Sequence, residues 1–161
     1  MKTVRLFAGI FLLVAICACG NRKQDSQNPT PATEKAVEVV KEQKTVFYDM
    51  TLDEALEKAG AEGKYVFIDF HIDGCGPYKK MEETVFPNPV CGEFMNRHFV
   101  PIMIDAGDDG AGTELAERHN VFIFPSYLIL SPDGFKEGEI QGAELDVDKF
   151  LEMLKTAIYA D

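Results

Sequence analysis

The chain has 161 residues, enough for one domain with extensions at its ends. A hydrophobic content of 46% supplies a packed core. A formal net charge of −11 disfavours nucleic acid and anionic membrane surfaces as direct ligands and leaves only loose steering of basic partners.

Lys2 and Arg5 precede an apolar run from Leu6 to Ile16, too short to span a bilayer comfortably. The run ends in Ile16-Cys17-Ala18-Cys19-Gly20. A small residue directly before a cysteine, after an apolar stretch, resembles the bacterial lipoprotein lipobox. That resemblance implies a signal peptide over residues 1–18, cleavage before Cys19, and acylation of the Cys19 thiol and its freed amine. Cys17 follows the bulky Ile16 and fits the pattern less well. An ordinary secretory signal that contains two cysteines is the alternative. Acyl chains contribute roughly 0.8 kcal/mol per buried methylene, so a triacylated end is firmly anchored. Residues 19–44 are expected to form a flexible tether, polar at first with Pro29 and Pro31. Its charged stretch Glu34-Lys35-Ala36-Val37-Glu38-Val39-Val40-Lys41 could also form a short helix. A linker of this size spans roughly 25–30 Å. With Cys17 removed and Cys19 lipidated, Cys75 and Cys91 remain as thiols in an oxidising compartment.

The folded part is expected over residues 45–161. Val46-Phe47-Tyr48 is a short β candidate. Thr51 with Glu54 three residues on is a capping box for a helix whose apolar stripe is Leu52, Ala55, Leu56 and Ala59, ended by Gly60 and Gly63. Tyr65 to His71 is a near-continuous apolar strand, the pattern of a strand covered on both faces. Cys75 opens the next helix. Pro87 and Pro89 interrupt it, and Val90 to Arg97 resumes it. Phe99 to Asp105 is a second buried strand, Ala106 to Gly112 a loop, and Thr113 to His119 a short helix. Ser126 to Leu130 and Phe135 to Gln141 flank the turn Ser131-Pro132-Asp133-Gly134 as a hairpin. Asp146 to Tyr159 closes the chain as an amphipathic helix with Val147, Phe150, Leu151, Leu154 and Ile158 on one side. The order β-α-β-α-α-β-α-β-β-α predicts a mixed α/β sheet between helices, parallel first and antiparallel at its end. No internal repeat is visible.

Three separated segments carry a resemblance to the thioredoxin fold across about Thr45 to Asp161. Phe67-Ile68-Asp69-Phe70 leads into Cys75-Gly76-Pro77, with Asp69 six residues before the cysteine. Val121-Phe122-Ile123-Phe124-Pro125-Ser126 precedes a strand, where the family places a cis-proline facing the active site. Gln141-Gly142-Ala143 lies before the last helix, where the family has a glycine. The insert Glu83-Thr84-Val85-Phe86-Pro87-Asn88-Pro89-Val90, with the later Phe99-Val100, resembles a subgroup of bacterial envelope proteins associated with lipoproteins and with disulfide reductases and isomerases.

The resemblance implies thiol–disulfide chemistry at Cys75, a buried acid at Asp69, and a substrate-facing surface of Gly76, Pro77, Phe124, Pro125 and Ser126. It implies no cofactor. Its expected partners are cysteine-containing envelope proteins or a redox partner, with the chain lipid-anchored and no nucleic acid bound. Several positions depart from the family. Tyr78 stands where the second, resolving cysteine is usual. Gly74 and His71 replace tryptophans, and Pro101 replaces a lysine near the buried acid.

Free amides and the dipole at a helix start favour a thiolate, and the thiolate is the nucleophile. Cys75 can therefore attack a disulfide and form a mixed disulfide. Tyr78 cannot resolve that adduct, although its phenol could bond the Cys75 sulfur or cap the site. This favours monothiol exchange or isomerisation over net reduction. The alternative is a catalytically degenerate binding module that holds a peptide near Pro125 and Tyr78. His71 and Asp105 end neighbouring parallel strands, so an ion pair between them is expected beside the site, one that would favour the imidazolium and hence the Cys75 thiolate. A solvent-facing His71 is the alternative. Cys91 lies sixteen residues beyond Cys75 and reads as a packing residue. The helix opened by Cys75 alone carries the chain ~15 Å away at 1.5 Å per residue, whereas a disulfide needs Cα atoms within roughly 7 Å. Asp105, Asp108 and Asp109 do not match a calcium loop, and His71, His98 and His119 lack zinc-ligand spacing with the cysteines, so no metal is expected.

Overall fold

The computed structural model describes residues 43–107 and 110–159. The expected signal peptide, Cys19, nearly all of the tether, and Asp108 and Asp109 lie outside the described residues.

Helix α1 (Leu52–Glu62) begins at the expected capping box. The Glu54 amide donates to Thr51 Oγ1 at 3.3 Å, and the Thr51 amide donates to Glu54 Oε2 at 2.8 Å. Such a cap contributes about 1 kcal/mol. Gly63 ends the helix in the left-handed region at φ 64°, where a side chain would be strained. Gly60 does not end it and lies inside the helix, because the αL cap falls three residues later. Strand β1 (Tyr65–His71) follows. Helix α2 (Gly76–Lys80) runs on into a wide π-helical turn over Met81–Val85, closed by the Phe86 amide on the Met81 carbonyl at 3.1 Å. Asn88 then caps helix α3 (Pro89–His98), its side chain accepting from the Val90 and Cys91 amides.

Strand β2 (Phe99–Asp105), helix α4 (Ala111–Arg118), strands β3 (Ser126–Leu130) and β4 (Lys136–Gln141), and helix α5 (Val147–Tyr159) complete the order. Helix α4 starts two residues earlier than its apolar pattern suggests. Val46–Tyr48 makes only an isolated parallel bridge, Tyr48 with Ile102. The Tyr48 amide donates there to the Pro101 carbonyl at 2.8 Å. Pro101 has no amide to offer, and its place on an edge strand makes that harmless.

The sheet order is β2-β1-β3-β4, with β1 parallel to β2 and antiparallel to β3, and β3 antiparallel to β4. Alternation along β1 divides the core. Phe67 faces a layer with Met81, Phe86, Met95, Phe99, Tyr127, Phe150 and Leu154 from the π turn and its end, α3, α5 and the neighbouring strands. Val66, Ile68 and Phe70 face Ala55, Ala59, Leu115, Val121 and Leu128 under α1 and α4. Burying each large apolar side chain contributes roughly 1.5–3 kcal/mol, so the two layers supply most of the driving force. Both faces of β1 are covered, which explains its lack of alternation in sequence. Asp69 is the exception in this strand, a carboxylate-type side chain with no exposure.

Candidate active site

The site forms at the end of β1. The chain turns through Gly74, whose φ of 76° lies in the left-handed region, with no heavy atom within 4 Å of an added Cβ. This glycine permits the turn and leaves the space where the family's tryptophan is usual. Cys75 follows as the N-cap of α2, with Pro77 in the first turn and no side-chain capping bond. Its thiol is half-buried, and Sγ lies 3.7 Å from the Phe124 carbonyl oxygen. Phe124–Pro125 is a cis peptide bond. The loop before it is held twice. Ser126 Oγ donates to the Ile123 carbonyl at 2.7 Å, and the Gly142 amide donates to the Pro125 carbonyl at 2.8 Å. The third segment of the resemblance thus touches the second. In this loop Phe122 and Ile123 are 70% and 53% exposed, an apolar patch on the segment that leads to the cis-proline.

Tyr78 turns inward. Its ring stacks on the His71 imidazole, with centroids 4.4 Å apart and planes 10° from parallel. Its hydroxyl donates to Glu82 Oε1 at 3.0 Å and also contacts Met103 Sδ at 3.3 Å. Burial, then Asp69 and Glu82, push the Tyr78 phenol well above its ordinary range. Tyr78 therefore remains a neutral donor and never a nucleophile near neutral pH.

Asp69 lies fully buried, with Met103 beside it on β2 and Tyr127 on β3. Burial, with the Glu82 carboxylate second, raises its carboxyl well above the usual value. Both effects favour the protonated form of Asp69. Tyr127, also fully buried, has its phenol pushed up by burial and by Asp69.

The expected ion pair is not formed. His71 and Asp105 are register partners, as their strand ends imply. Among the described residues, however, no ion pair joins them. Asp105 Oδ1 accepts instead from the Gly107 amide at 2.8 Å, a local turn that satisfies the carboxylate, while the imidazole covers Tyr78. Cys91 is buried in the first turn of α3, with its sulfur 3.9 Å from Thr45 Oγ1, and forms no disulfide. Burial pushes its thiol up to about 11. Among the described residues no three His, Cys, Asp or Glu side chains converge as a metal site, and no helix is long and apolar enough to cross a membrane.

Sequence reasoning brought Cys75, Asp69, His71, Tyr78 and Phe124–Ser126 to one end of the sheet, and the structure gathers them there. It missed Glu82, Met103 and Tyr127. Glu82 was legible as the i+4 neighbour of Tyr78. Met103 and Tyr127 join the site only through cross-strand register.

This fold and site define the class: a thioredoxin-like domain with Cys75 at the start of helix α2. The chain belongs to the thioredoxin-like domain family, which it matches over residues 52–158. It is 34% identical over 110 residues to the thiol:disulfide interchange protein DsbD of Pseudomonas fluorescens, an alignment covering 67% of this chain and 19% of that protein. The chain therefore spans about a fifth of that relative's length. A candidate disulphide-isomerase from Bacteroides thetaiotaomicron superposes with a TM-score of 0.66 at 29% identity, over 74% of this chain and 98% of that one. A thioredoxin from Thermus thermophilus superposes with a TM-score of 0.62 at 26% identity, over 72% and 88%.

Proposed function

We propose that this chain is a lipid-tethered thiol–disulfide exchange protein of a bacterial envelope, facing the periplasm and working through the one thiol of Cys75. Residues 1–18 act as signal, Cys19 carries the lipid, residues 19–44 form the tether, and residues 45–161 do the chemistry. The observation that carries the reading is the Cys75 sulfur at a helix start, beside the Phe124 carbonyl and the cis-proline loop. The thiol:disulfide interchange and disulphide-isomerase relatives support the same chemistry.

In the proposed reaction the Cys75 thiolate attacks one sulfur of a substrate disulfide. The S–S bond breaks, the second substrate sulfur leaves as a thiolate, and a Cys75–substrate disulfide forms. An extended peptide lies against the Phe124–Ser126 backbone, with its apolar side chains on Phe122 and Ile123. Resolution comes from outside the site, because Tyr78 carries no thiol and Cys91 is buried against Thr45. Attack by the substrate's own free thiol yields isomerisation. Attack by a partner's thiol regenerates Cys75 and passes the oxidising equivalent on.

Mixing the purified protein with an oxidised multi-disulfide protein, followed by acid quench and mass spectrometry, tests this reading. A Cys75-linked adduct, absent in Cys75→Ser, is expected. A second reading, a peptide-binding module, is favoured by the exposed Phe122 and Ile123. It gains if peptide binds equally to Cys75→Ser and no adduct forms. Release of the protein from membranes in Cys19→Ala tests the anchor.

A further inference from the structure

Met103 on β2 and Met153 on α5 are equally exposed, each at 44%, whereas Met81 and Met95 are fully buried. Exposure alone would make Met103 and Met153 equal targets for an oxidant. Their surroundings differ. Met153 lies in the groove between α5 and β4, and among the described residues no hydrogen bond reaches its sulfur. Met103 Sδ lies 3.3 Å from the Tyr78 hydroxyl, which also donates to Glu82 Oε1 at 3.0 Å. Met103 also lines an open cavity of about 190 Å³ with Lys44, Phe47, Glu82 and Phe86. A water takes up about 30 Å³ of liquid volume, so a molecule the size of hydrogen peroxide enters with room to spare.

A phenol has one proton to donate, and a thioether is a weak acceptor. Glu82 therefore holds the stronger claim on the Tyr78 proton, and the sulfur lone pairs stay available. Once an oxygen is on the sulfur the ranking changes. A sulfoxide is polar where the thioether was apolar. Its oxygen is joined to an atom already 3.3 Å from the hydroxyl. Burial keeps the Tyr78 phenol protonated, so the donor is present around neutral pH. We propose that Met103 is a modification site: hydrogen peroxide or an organic hydroperoxide converts its thioether to the sulfoxide, and the Tyr78 hydroxyl donates to the oxygen that arrives. The inference goes beyond thiol exchange and needs no turnover at Cys75.

Met103 Sδ attacks one oxygen of the peroxide. The O–O bond breaks and an S–O bond forms. The sulfur is oxidised by two electrons, and the peroxide is reduced. Its second oxygen takes the proton of the first and departs as water, or as an alcohol from an organic hydroperoxide. Negative charge develops on the transferred oxygen, where the Tyr78 proton meets it. The donor thus stabilises the transition state more than the thioether ground state. Sulfoxide reductases reverse the change. Met103 is the register partner of Asp69, and the Tyr78 ring belongs to the Cys75 helix and stacks on His71. The modification therefore sets an oxygen against the packed ring of that helix while the Cys75 thiol stays as it is.

The full-length Cys75→Ser chain tests the proposal free of thiol oxidation, since Cys91 is buried. Carbon-13 methionine methyls report each sulfur separately, and Met103 is assigned by its loss in Met103→Leu. Under hydrogen peroxide the Met103 signal should convert roughly 2- to 12-fold faster than that of Met153, the rate equivalent of one net hydrogen bond. Tyr78→Phe keeps the stacking ring and should slow Met103 to the rate of Met153. The second readout is the Tyr78 carbon that bears the hydroxyl, in a chain carrying carbon-13 tyrosine, assigned by its loss in Tyr78→Phe. It should move as Met103 converts and stay still in Met103→Leu under the same peroxide. Equal rates for Met103 and Met153 with Tyr78 in place overturn the proposal even if Tyr78→Phe does not fold. So does a faster Met103 in Tyr78→Phe, which would mean that the hydroxyl guards the sulfur instead of receiving the oxygen. A Tyr78 signal that ignores the conversion overturns it as well.

Discussion

The Tyr78 ring lies flat on the His71 imidazole, 4.4 Å away and 10° from parallel. Stacked pairs of this kind contribute about 0.5–1.5 kcal/mol beyond their buried area. With the hydroxyl bonded to Glu82, the contact turns the fourth position of the Cys-Gly-Pro-Tyr segment into a packed part of the core edge. Tyr78 thus fills the position where the family's second cysteine is usual with a packed ring.

Tyr78→Cys restores a Cys-x-x-Cys spacing and removes both contacts. Insulin reduction with dithiothreitol should rise several-fold, because the adduct can then be expelled internally. Stability should fall by roughly 2–4 kcal/mol for the lost ring, read by chemical denaturation. A wild-type chain that already reduces insulin as fast as the variant contradicts the role given to Tyr78.

Asp69 makes stability depend on pH. Its folded carboxyl is held above its unfolded value by burial and by Glu82. The favourable contribution of the neutral acid is fully present below the unfolded value, about 3.9. It is lost as pH rises towards the folded value, at up to about 1.4 kcal/mol per pH unit. Asp69→Asn should flatten this decline, gaining on the wild-type chain at pH 8 relative to pH 4. Urea unfolding at both pH values measures it, and parallel curves for the two proteins refute it.

The thiols of Cys75 and Cys91 should part company in alkylation. Burial, only partly offset by Thr45, holds the Cys91 thiol near 11, whereas Cys75 is half-buried at a helix start. Iodoacetamide at pH 8 should label Cys75 in the folded chain and reach Cys91 only after unfolding. Mass spectrometry of the labelled peptides checks this, and equal labelling rates would show that Cys91 is open.

Gly112 lies where α4 meets the end of β2. An added Cβ would sit 1.8 Å from the Asp105 carbonyl oxygen, a backbone atom that cannot rotate away. Gly112→Ala should therefore cost about 1–3 kcal/mol or more. An unchanged melting midpoint would mean that α4 shifts freely.

Much of this was legible in the chain. Strands Tyr65–His71, Phe99–Asp105 and Ser126–Leu130 have the expected ends because each is an apolar run bounded by turn residues. The Thr51–Glu54 cap and the Ser131–Gly134 turn are local chemistry, readable from a few side chains. Cys75, Asp69 and Pro125 were picked out by the resemblance to the thioredoxin fold, which the three segments carry together and in order. Gly60 misled because a glycine inside a helix and one at its end look alike until the αL cap at Gly63 is seen.

The contacts across the site were decided elsewhere. The β1–β3 register sets Tyr127 beside Asp69, and the β1–β2 register sets Met103 on its other side. The same register aligned His71 with Asp105, yet the imidazole went to Tyr78 and the carboxylate to the Gly107 amide. Periodicity specifies which face of a strand a side chain takes. Which neighbour it then meets depends on the register between strands and on the rotamers that the overlying helices permit, and both exist only once the core has assembled.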